Sequence, residues 1–512
     1  MRYGFAIDQR TCIGCHACTV ACKTEHEVPV GQFRTWVKYV DQGVFPNSTR
    51  DFAVMRCNHC TDAPCVKICP TNALFTRDDG IVDFDKDSCI GCKSCLQACP
   101  YDAIYIDDDT KTAAKCNFCA HRVDSGLEPA CVVVCPTHSI WVGDLDDPDS
   151  GISRLIDSNP VAVRAPEQQT GPNVFYLGAD RAVLEPLDAP ASNGYIYSTP
   201  DPHRAEVAAD LPSGSRGNAT TTLNTAHPRP WGWRVITYLW SKAVGAGAMA
   251  LAVLAHLLGI RLGGLGDVAA PIVGLVGVAS TGALLVWDLK RPERFLYIFL
   301  KANPRSWLFW GSVALAAGAA FFALWLGVAV FEAAGAFDAA TADTVRTWLA
   351  VPTMVAAAMT AGYTGFLFGQ AEGRDLWQSP LLFWHLIVQA LAVGGGALVV
   401  LAAAFDLADD ANALLVRVFA LATAGHVVML LLEYFGRHPT RNASAAAHMI
   451  LRGRYARLFW SGLAAAVVSV VLAAFGWTGA LALPLVGGLL VQFALLAYES
   501  VFVRAAQDVP LS

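Results

Sequence analysis

Hydrophobic positions are distributed in two different ways along this chain. From Val235 onward they run in long stretches separated by short loops, whereas residues 1–230 carry only short apolar clusters between polar and acidic segments. A helix needs about 20 apolar residues to cross the hydrocarbon of a bilayer. Eight segments reach that length, at roughly 235–260, 267–287, 308–332, 346–369, 380–404, 412–435, 457–476 and 479–503. A buried soluble bundle would not need eight in succession, and an even number returns the chain to its starting side. Small residues at Gly245-Ala246-Gly247-Ala248 and Gly394-Gly395-Gly396 suit close helix approach. In the first part, Ile81–Phe84, Ala103–Ile106 and Asn173–Leu177 read as short strands. Residues 189–232, rich in Pro, Ser, Gly, Asn and Thr, read as a linker. The expected architecture is multidomain: an α+β domain over 1–188, a linker over 189–232, and an all-α eight-helix transmembrane bundle over 233–505.

Composition agrees with that division. At 54% hydrophobic residues the 512-residue chain is too apolar to be wholly water-soluble. The formal net charge of −6 says little about partners, because acidic runs such as Asp107–Asp109 and Asp144–Asp149 read as solvated faces. Nothing points to nucleic acid.

The cysteines give the soluble part its chemistry. All 16 fall between Cys12 and Cys135, in four groups of four. They are Cys12-x2-Cys15-x2-Cys18-x3-Cys22, Cys57-x2-Cys60-x4-Cys65-x3-Cys69-Pro70, Cys89-x2-Cys92-x2-Cys95-x3-Cys99-Pro100 and Cys116-x2-Cys119-x11-Cys131-x3-Cys135-Pro136. The first and third repeat the bacterial ferredoxin spacing, in which three thiolates hold one cube and the fourth reaches a second. Sixteen thiolates at four per cluster make four [4Fe–4S] centres with none left over. Disulfides suit small secreted domains, and zinc ribbons use paired C-x2-C knuckles. Neither pattern matches, so the domain reads as an electron wire of ferredoxin-like α+β type. His16, His59 and His121, in or beside the motifs, are expected to bond or shield clusters.

Loop charges bear on sidedness. Fourteen Lys and Arg residues between Arg229 and Arg504 lie on the side shared with the N-terminus, against Arg261, Arg346 and Arg417 on the other. The positive-inside rule then puts both termini and the cluster domain in the cytoplasm of a prokaryote's inner membrane. No secretory or twin-arginine pattern stands before Cys12, as expected of a domain that is not exported. Arginines that dock the cluster domain or a quinone would mimic this bias.

Residues 10–145 resemble the four-cluster iron–sulfur subunits that accompany molybdopterin oxidoreductases such as dimethyl sulfoxide, polysulfide and tetrathionate reductases. The resembling strings are Cys12-Ile13-Gly14-Cys15-His16-Ala17-Cys18, Cys57-Asn58-His59-Cys60-Thr61-Asp62-Ala63-Pro64-Cys65 and Lys115-Cys116-Asn117-Phe118-Cys119-Ala120-His121-Arg122. The resemblance implies a pairing of the motifs. Cys12, Cys15, Cys18 and Cys135 would hold one cluster, and Cys116, Cys119, Cys131 and Cys22 a second. Cys57, Cys60, Cys65 and Cys99 would hold a third, and Cys89, Cys92, Cys95 and Cys69 a fourth. The membrane half is similar to the NrfD/polysulfide reductase anchor family, through Trp287-Asp288-Leu289-Lys290-Arg291-Pro292-Glu293-Arg294-Phe295, Asn303-Pro304-Arg305-Ser306-Trp307, Tyr363-Thr364-Gly365-Phe366, Leu376-Trp377 and Pro380-Leu381-Leu382. That resemblance implies an eight-helix fold exchanging electrons with a quinone, menaquinone or ubiquinone. Better-known relatives of this kind face outward and keep the two halves as separate subunits.

Ionisable groups within membrane helices are functional candidates by default. Near the cluster side stand Lys242, Asp288, Arg294, Tyr363, His385, Glu433 and Glu499. Asp288, Arg294, Tyr363 and His385 form the candidate quinone site and proton relay, with Asp288 and Arg294 as an orienting pair. Lys242 could instead snorkel to the interface, and Glu433 and Glu499 could be helix-end charges. A haem between His385 and His426 is not expected. No dinucleotide fingerprint, pterin domain or nucleophile triad is present, so substrate chemistry is left to a catalytic partner subunit, expected to carry molybdopterin. Three readings remain: a quinone-reactive electron-transfer subunit, an energy-coupling module using His256, Arg346 and Arg417 to move protons across the membrane, or a merely anchored ferredoxin, for which one helix would suffice.

Overall fold

The structure, a computed structural model, describes residues 1–196, 210, 219–226 and 228–512. Strand β1 (Tyr3–Asp8) pairs in parallel with β10 (Val174–Leu177) and antiparallel with β8 (Ile140–Asp144), and β9 (Val161–Ala162) closes the sheet beside β10. The period of two along β1 sorts its side chains. Phe5 and Ile7 join the core that holds Phe118, Cys18 and Cys131, while Ala6 packs with Ile152 and Leu177 on the other face. The hairpin β2 (Thr35–Val44) and β3 (Asn47–Arg56) anchors a second sheet. Two small hairpins, β4 (Leu74–Thr76) with β5 (Val82–Phe84) and β6 (Ile104–Ile106) with β7 (Ala113–Lys115), sit among the cysteine motifs.

The stretch from 189 to 232 is less irregular than its composition suggests. Its ends give β11 (Ala191–Ile196) and β12 (Thr220–Asn224), which pair in parallel and extend the second sheet through β12 against β2. The remainder of that stretch lies largely outside the described residues.

The two ferredoxin-like motifs share one backbone solution. Gly14 and His16 have φ of +67° and +62°, and Gly91 and Lys93 have +68° and +66°. These left-handed residues turn the backbone from one cysteine to the next and lead into the short helices Ala17–Glu25 and Ser94–Ala98. A side chain at Gly14 would strike Phe52, and one at Gly91 would strike Lys290.

Eight helices among the described residues are long and apolar enough to cross a membrane. They are α1 (Trp233–Leu257), α2 (Leu265–Asp288), α3 (Trp307–Ala333), α4 (Ala339–Gly369), α5 (Leu382–Ala402), α6 (Asp409–Phe435), α7 (Ala456–Ala474) and α8 (Ala482–Asp508). Helices α1–α4 pack as one four-helix bundle and α5–α8 as another, joined mainly where α1 crosses α5. At that crossing Gly247 lies against the Ala390 carbonyl and Gly394 against the backbone of Gly247 and Ala248, with no room for a Cβ. Helix α4 starts earlier than hydropathy predicts, because Asp338 caps a polar first turn by accepting from Thr341. Helix α8 runs on past its apolar stretch because Gln507 and Asp508 are buried under the cluster domain. There Gln507 accepts from Gln97 and from the Trp231 backbone, and Asp508 pairs with Arg229.

The cluster domain sits on the end of the bundle that carries the α2–α3 loop and the end of α8. Lys290 and Arg291 donate backbone hydrogen bonds to the carbonyls of Gly91 and Ile90. Asn303 reaches the Cys69 carbonyl at 2.7 Å, and Ser306, which also caps α3, reaches that of Ile68 at 2.7 Å. Arg374, fully buried, donates to Gln97.

Candidate functional site: cysteine clusters above a membrane cavity

Grouped into the four sets that the resemblance implies, the sixteen cysteines have these neighbours. Cys12 lies within electrostatic reach of Cys15 and Cys135, and Cys18 of Cys12. Cys22 faces Cys116, Cys119 and Cys131. Cys65 faces Cys57, Cys60 and Cys99. Cys95 faces Cys69, Cys89 and Cys92. Electrostatic neighbours across the sets follow one order: Cys18 with Cys131, Cys116 with Cys57, and Cys95 with Cys65. Cys15 is exposed at one end of that order, while Cys92 and Cys95 stand at the membrane end.

Each set is four thiols, all free of disulfides. Among the described residues no three His, Cys, Asp or Glu side chains converge closely enough for a single metal ion. Four free thiols per set is the donor chemistry an iron–sulfur cluster takes. Burial pushes the Cys18 and Cys60 thiols up to about 12, so loading the sites displaces protons.

Buried cations stand between the sets. Arg56 donates to the Cys131 sulfur at 3.3 Å, lies 4.3 Å from the Phe5 ring centre and is wholly buried. Lys115, also buried, lies between Cys116 and Cys65 and donates to the carbonyls of Val82 and Cys116. Backbone N–H groups of Gly91 and Ala113 point at the Cys89 sulfur, and that of Ser139 at Cys135. His26 meets the Cys119 sulfur at 3.1 Å; burial, then the neighbouring Arg34, pushes its pKa down to about 4. Sequence reasoning passed over His26, Arg56 and Lys115. The basic residue directly before Cys57 and again before Cys116 was the available signal. Of the histidines singled out, His16 bonds Tyr39, His59 accepts from the Val82 backbone and His121 bonds Glu25.

Under the last set lies a cavity of about 280 Å³. Its wall is mostly apolar and includes Cys92, Tyr238, Asp288, Phe295, Leu315 and Tyr363. Asp288 also lines a larger polar cleft of about 680 Å³ between the cluster domain and the bundle. There it accepts from Lys93 at 2.6 Å and faces Arg234 at 3.6 Å. Of the four proposed site residues, Asp288 and Tyr363 therefore share one cavity.

Arg294 and His385 stand elsewhere. Arg294 donates to the carbonyls of Lys86 and Cys89, so it clasps the cluster domain and makes no pair with Asp288. His385 lines a separate cavity of about 220 Å³ with Glu433, Asp375 and His438. Its ring bonds His426 directly at 2.9 Å, which leaves no space for a porphyrin between them. Lys242 does not snorkel. It is wholly buried, donates to Thr364 and the Ala361 carbonyl, and lies 4.5 Å from the Tyr363 ring centre.

On the far face a third cavity, of about 300 Å³, is lined by His256, Asp267, Glu332, Asp343 and Arg346. Arg346 pairs there with Glu332 at 2.9 Å and Asp267 at 3.3 Å. Arg417 is not part of that cavity; it donates to the Trp477 carbonyl.

A domain with cysteine cages, seated on eight apolar helices by the α2–α3 loop, defines an iron–sulfur electron-transfer unit joined to an integral membrane domain. The chain matches the family described as "Polysulphide reductase, NrfD" over residues 221–504 and "4Fe-4S dicluster domain" over residues 49–145, and it belongs to the NrfD family. It is similar to a tetrathionate reductase subunit of Salmonella typhimurium, 46% identical over 190 residues, covering 36% of this chain and 76% of that one. It is also similar to a polysulfide reductase chain of Wolinella succinogenes, 40% identical over 187 residues (36% and 98%), and to protein NrfC of Escherichia coli, 46% identical over 164 residues (31% and 73%).

Proposed function

We propose that the chain carries electrons between a catalytic oxidoreductase subunit and the quinone pool, through four [4Fe–4S] clusters held by the four cysteine sets. The observation that carries this reading is Cys92: a thiol of the last set forms part of the wall of an apolar cavity at the membrane surface. Ligand pockets of this kind are largely apolar with a few convergent polar groups. Bound cubanes supply electron transfer at potentials tuned by nearby charge, hydrogen bonds and exposure. The chain's own residues do the rest. Arg56, Lys115 and His26 hold the thiolate charge, and Asp288 and Tyr363 offer a carboxylate and a phenol to the two quinone oxygens. Arg294 positions the cluster domain.

The catalytic subunit would dock at the opposite end, where Cys15 is exposed beside Ile13 (58% exposed). The named relatives, subunits of tetrathionate and polysulfide reductases, support a molybdopterin-dependent partner acting on a small oxidised compound. We place the domain boundaries at 188 and 232, with the sheet-forming ends of the intervening stretch fastening it to the cluster domain. The cytoplasmic side is proposed for that domain. Arg291, Arg294, Lys301, Arg374 and Arg441 bond it and carry that task. Arg305, Arg437, Arg452, Arg457 and Arg504 keep the bias against the far face.

Iron and acid-labile sulfide should each approach about sixteen per chain in anaerobically prepared protein, the content of four cubanes. Quinol addition should reduce those clusters in the isolated chain. A persistent three-iron signal would sink the count, and clusters unresponsive to quinol would sink the quinone reading.

A second reading, proton translocation, is favoured by the far-side cavity. Arg346, Thr353, Thr360 and Thr364 follow one another on the buried side of α4 toward Lys242, and the Thr353 hydroxyl has no protein partner. Reconstituted vesicles would decide it: quinone turnover that acidifies or alkalises the lumen in the parent, but not in Arg346→Leu, supports vectorial transport.

A further inference from the structure

His385, His426, Glu433, Tyr498 and Glu499 are buried or nearly so in the second bundle, away from the cavity assigned to quinone. They nevertheless form one contiguous group. His385 faces Glu433 at 3.3 Å, His426 at 2.9 Å and the Tyr498 hydroxyl at 3.4 Å, and Tyr498 meets Glu433 at 3.5 Å. One helical turn on from His385, Gln389 donates to Glu499 at 2.6 Å. Glu499 lies within electrostatic reach of both Glu433 and Lys242. Lys242 in turn donates to Thr364 and overlies Tyr363, whose side chain lines the quinone cavity.

The other end of this group opens to the cluster-side surface. The cavity at His385 and Glu433 is walled outward by Asp375, Ser379, Arg437 and His438. Two buried atoms facing this region, Nε2 of His426 and Oε1 of Glu433, have no protein hydrogen-bond partner. Buried polar groups left this way are ordinarily satisfied by ordered water. Helices α1, α4, α5, α6 and α8 each contribute polar groups, which is far more than packing needs at the centre of a bilayer.

We propose that this cluster is a proton route from the cluster-side surface to the quinone, running from Glu433 and His385 through Tyr498 and Glu499 to Lys242 and Tyr363. The proposal rests on the quinone reading above. Reducing one quinone takes two electrons, entering past Cys92, and two protons, one on each oxygen. The Asp288 carboxylate, at the wall of the cleft, takes a proton from cleft water and passes it to one oxygen. Tyr363 gives the other and regains it through the Thr364 hydroxyl, which accepts from the Lys242 ammonium; the Glu499 carboxylic acid, an electrostatic neighbour of Lys242, restores that proton. Glu433 and His385, open to water, then restore Glu499. Quinol oxidation runs the same transfers outward.

The test uses the full chain in lipid nanodiscs, its clusters pre-reduced with dithionite that is then removed, with decylubiquinone as acceptor. Glu499→Gln and Glu433→Gln should lower turnover at saturating quinone about tenfold or more, the scale of a lost proton-transfer group, with the quinone KM unchanged. The solvent deuterium isotope effect should rise, and sodium azide, a small weak acid, should restore much of the rate. Glu433→Asp should be milder than Glu433→Gln. Normal turnover in both glutamine variants, with an active parent, overturns the route and leaves the quinone site standing. Slow turnover with neither an isotope effect nor azide rescue also overturns it, since that marks a structural role. A parent that neither turns over nor binds a quinone analogue overturns the quinone reading itself.

Discussion

The two four-helix bundles have the same architecture and opposite interiors. In α1–α4 the cluster-side cavity is apolar, and a cysteine of the last set forms part of its wall. In α5–α8 the corresponding cavity mixes apolar walls with titratable groups, His385 and Glu433 among them, and has no cysteine in its wall. The comparison teaches how the work would divide under the proposed function: the first bundle would receive a greasy, redox-active ring, while the second would handle charge that must reach water. A site doing both in one cavity would have to keep water beside the ring it needs to bind by apolar contact.

The largest expected effect comes from filling the first cavity. Gly282 lines it and has open space at its Cβ position, so Gly282→Phe should abolish quinol-linked cluster reduction while dithionite still reduces all clusters. Absorbance at the cluster bands after each reductant measures this, and retained quinol reduction would show that the ring binds elsewhere. Next comes the ion pair under the third motif. Lys93→Met leaves Asp288 with Arg234 alone, and breaking a buried pair costs about 3 kcal/mol. Thermal unfolding of the cluster domain should shift down, and turnover should fall with it. An unchanged unfolding midpoint would mean that the pair is not the main fastening.

Arg294→Leu should have a smaller and different effect. Its bonds to the carbonyls of Lys86 and Cys89 predict faster protease cleavage near the domain junction with an unchanged quinone KM. A raised KM with normal protease resistance would return Arg294 to the binding site. Arg417→Ala is the control with the least expected effect, within about 0.5 kcal/mol of parent stability and with normal turnover, because it touches only Trp477 on the far face. A loss of turnover there would draw the far face into the reaction.

Much of this arrangement was legible in the chain. Hydropathy located all eight helices, since apolar length is a local property, and missed ends where a polar turn is capped, as at Asp338, or where polar groups are buried by tertiary contact. Gln507 and Asp508 extend α8 because the cluster domain covers them. The cysteine spacing marked the iron–sulfur domain for the same local reason. The candidate site was read less evenly. Asp288 and Arg294 are six residues apart and looked like partners, but the loop turns between them. One side chain faces the cleft, and the other faces the carbonyls of a domain some 200 residues earlier in sequence. His385 was placed with Tyr363 by shared depth alone. Depth along the membrane normal is visible in a sequence, whereas position in the membrane plane depends on helix packing.

The backbone bonds from Lys290 and Arg291 to Gly91 and Ile90 have a consequence for biogenesis. They roof the segment between Cys89 and Cys92 with a loop of the membrane domain. Iron and sulfide delivered by an assembly machinery must therefore reach that set before the roof closes. A cluster held there as proposed would have to be installed before the two halves dock, or the halves parted again to admit it.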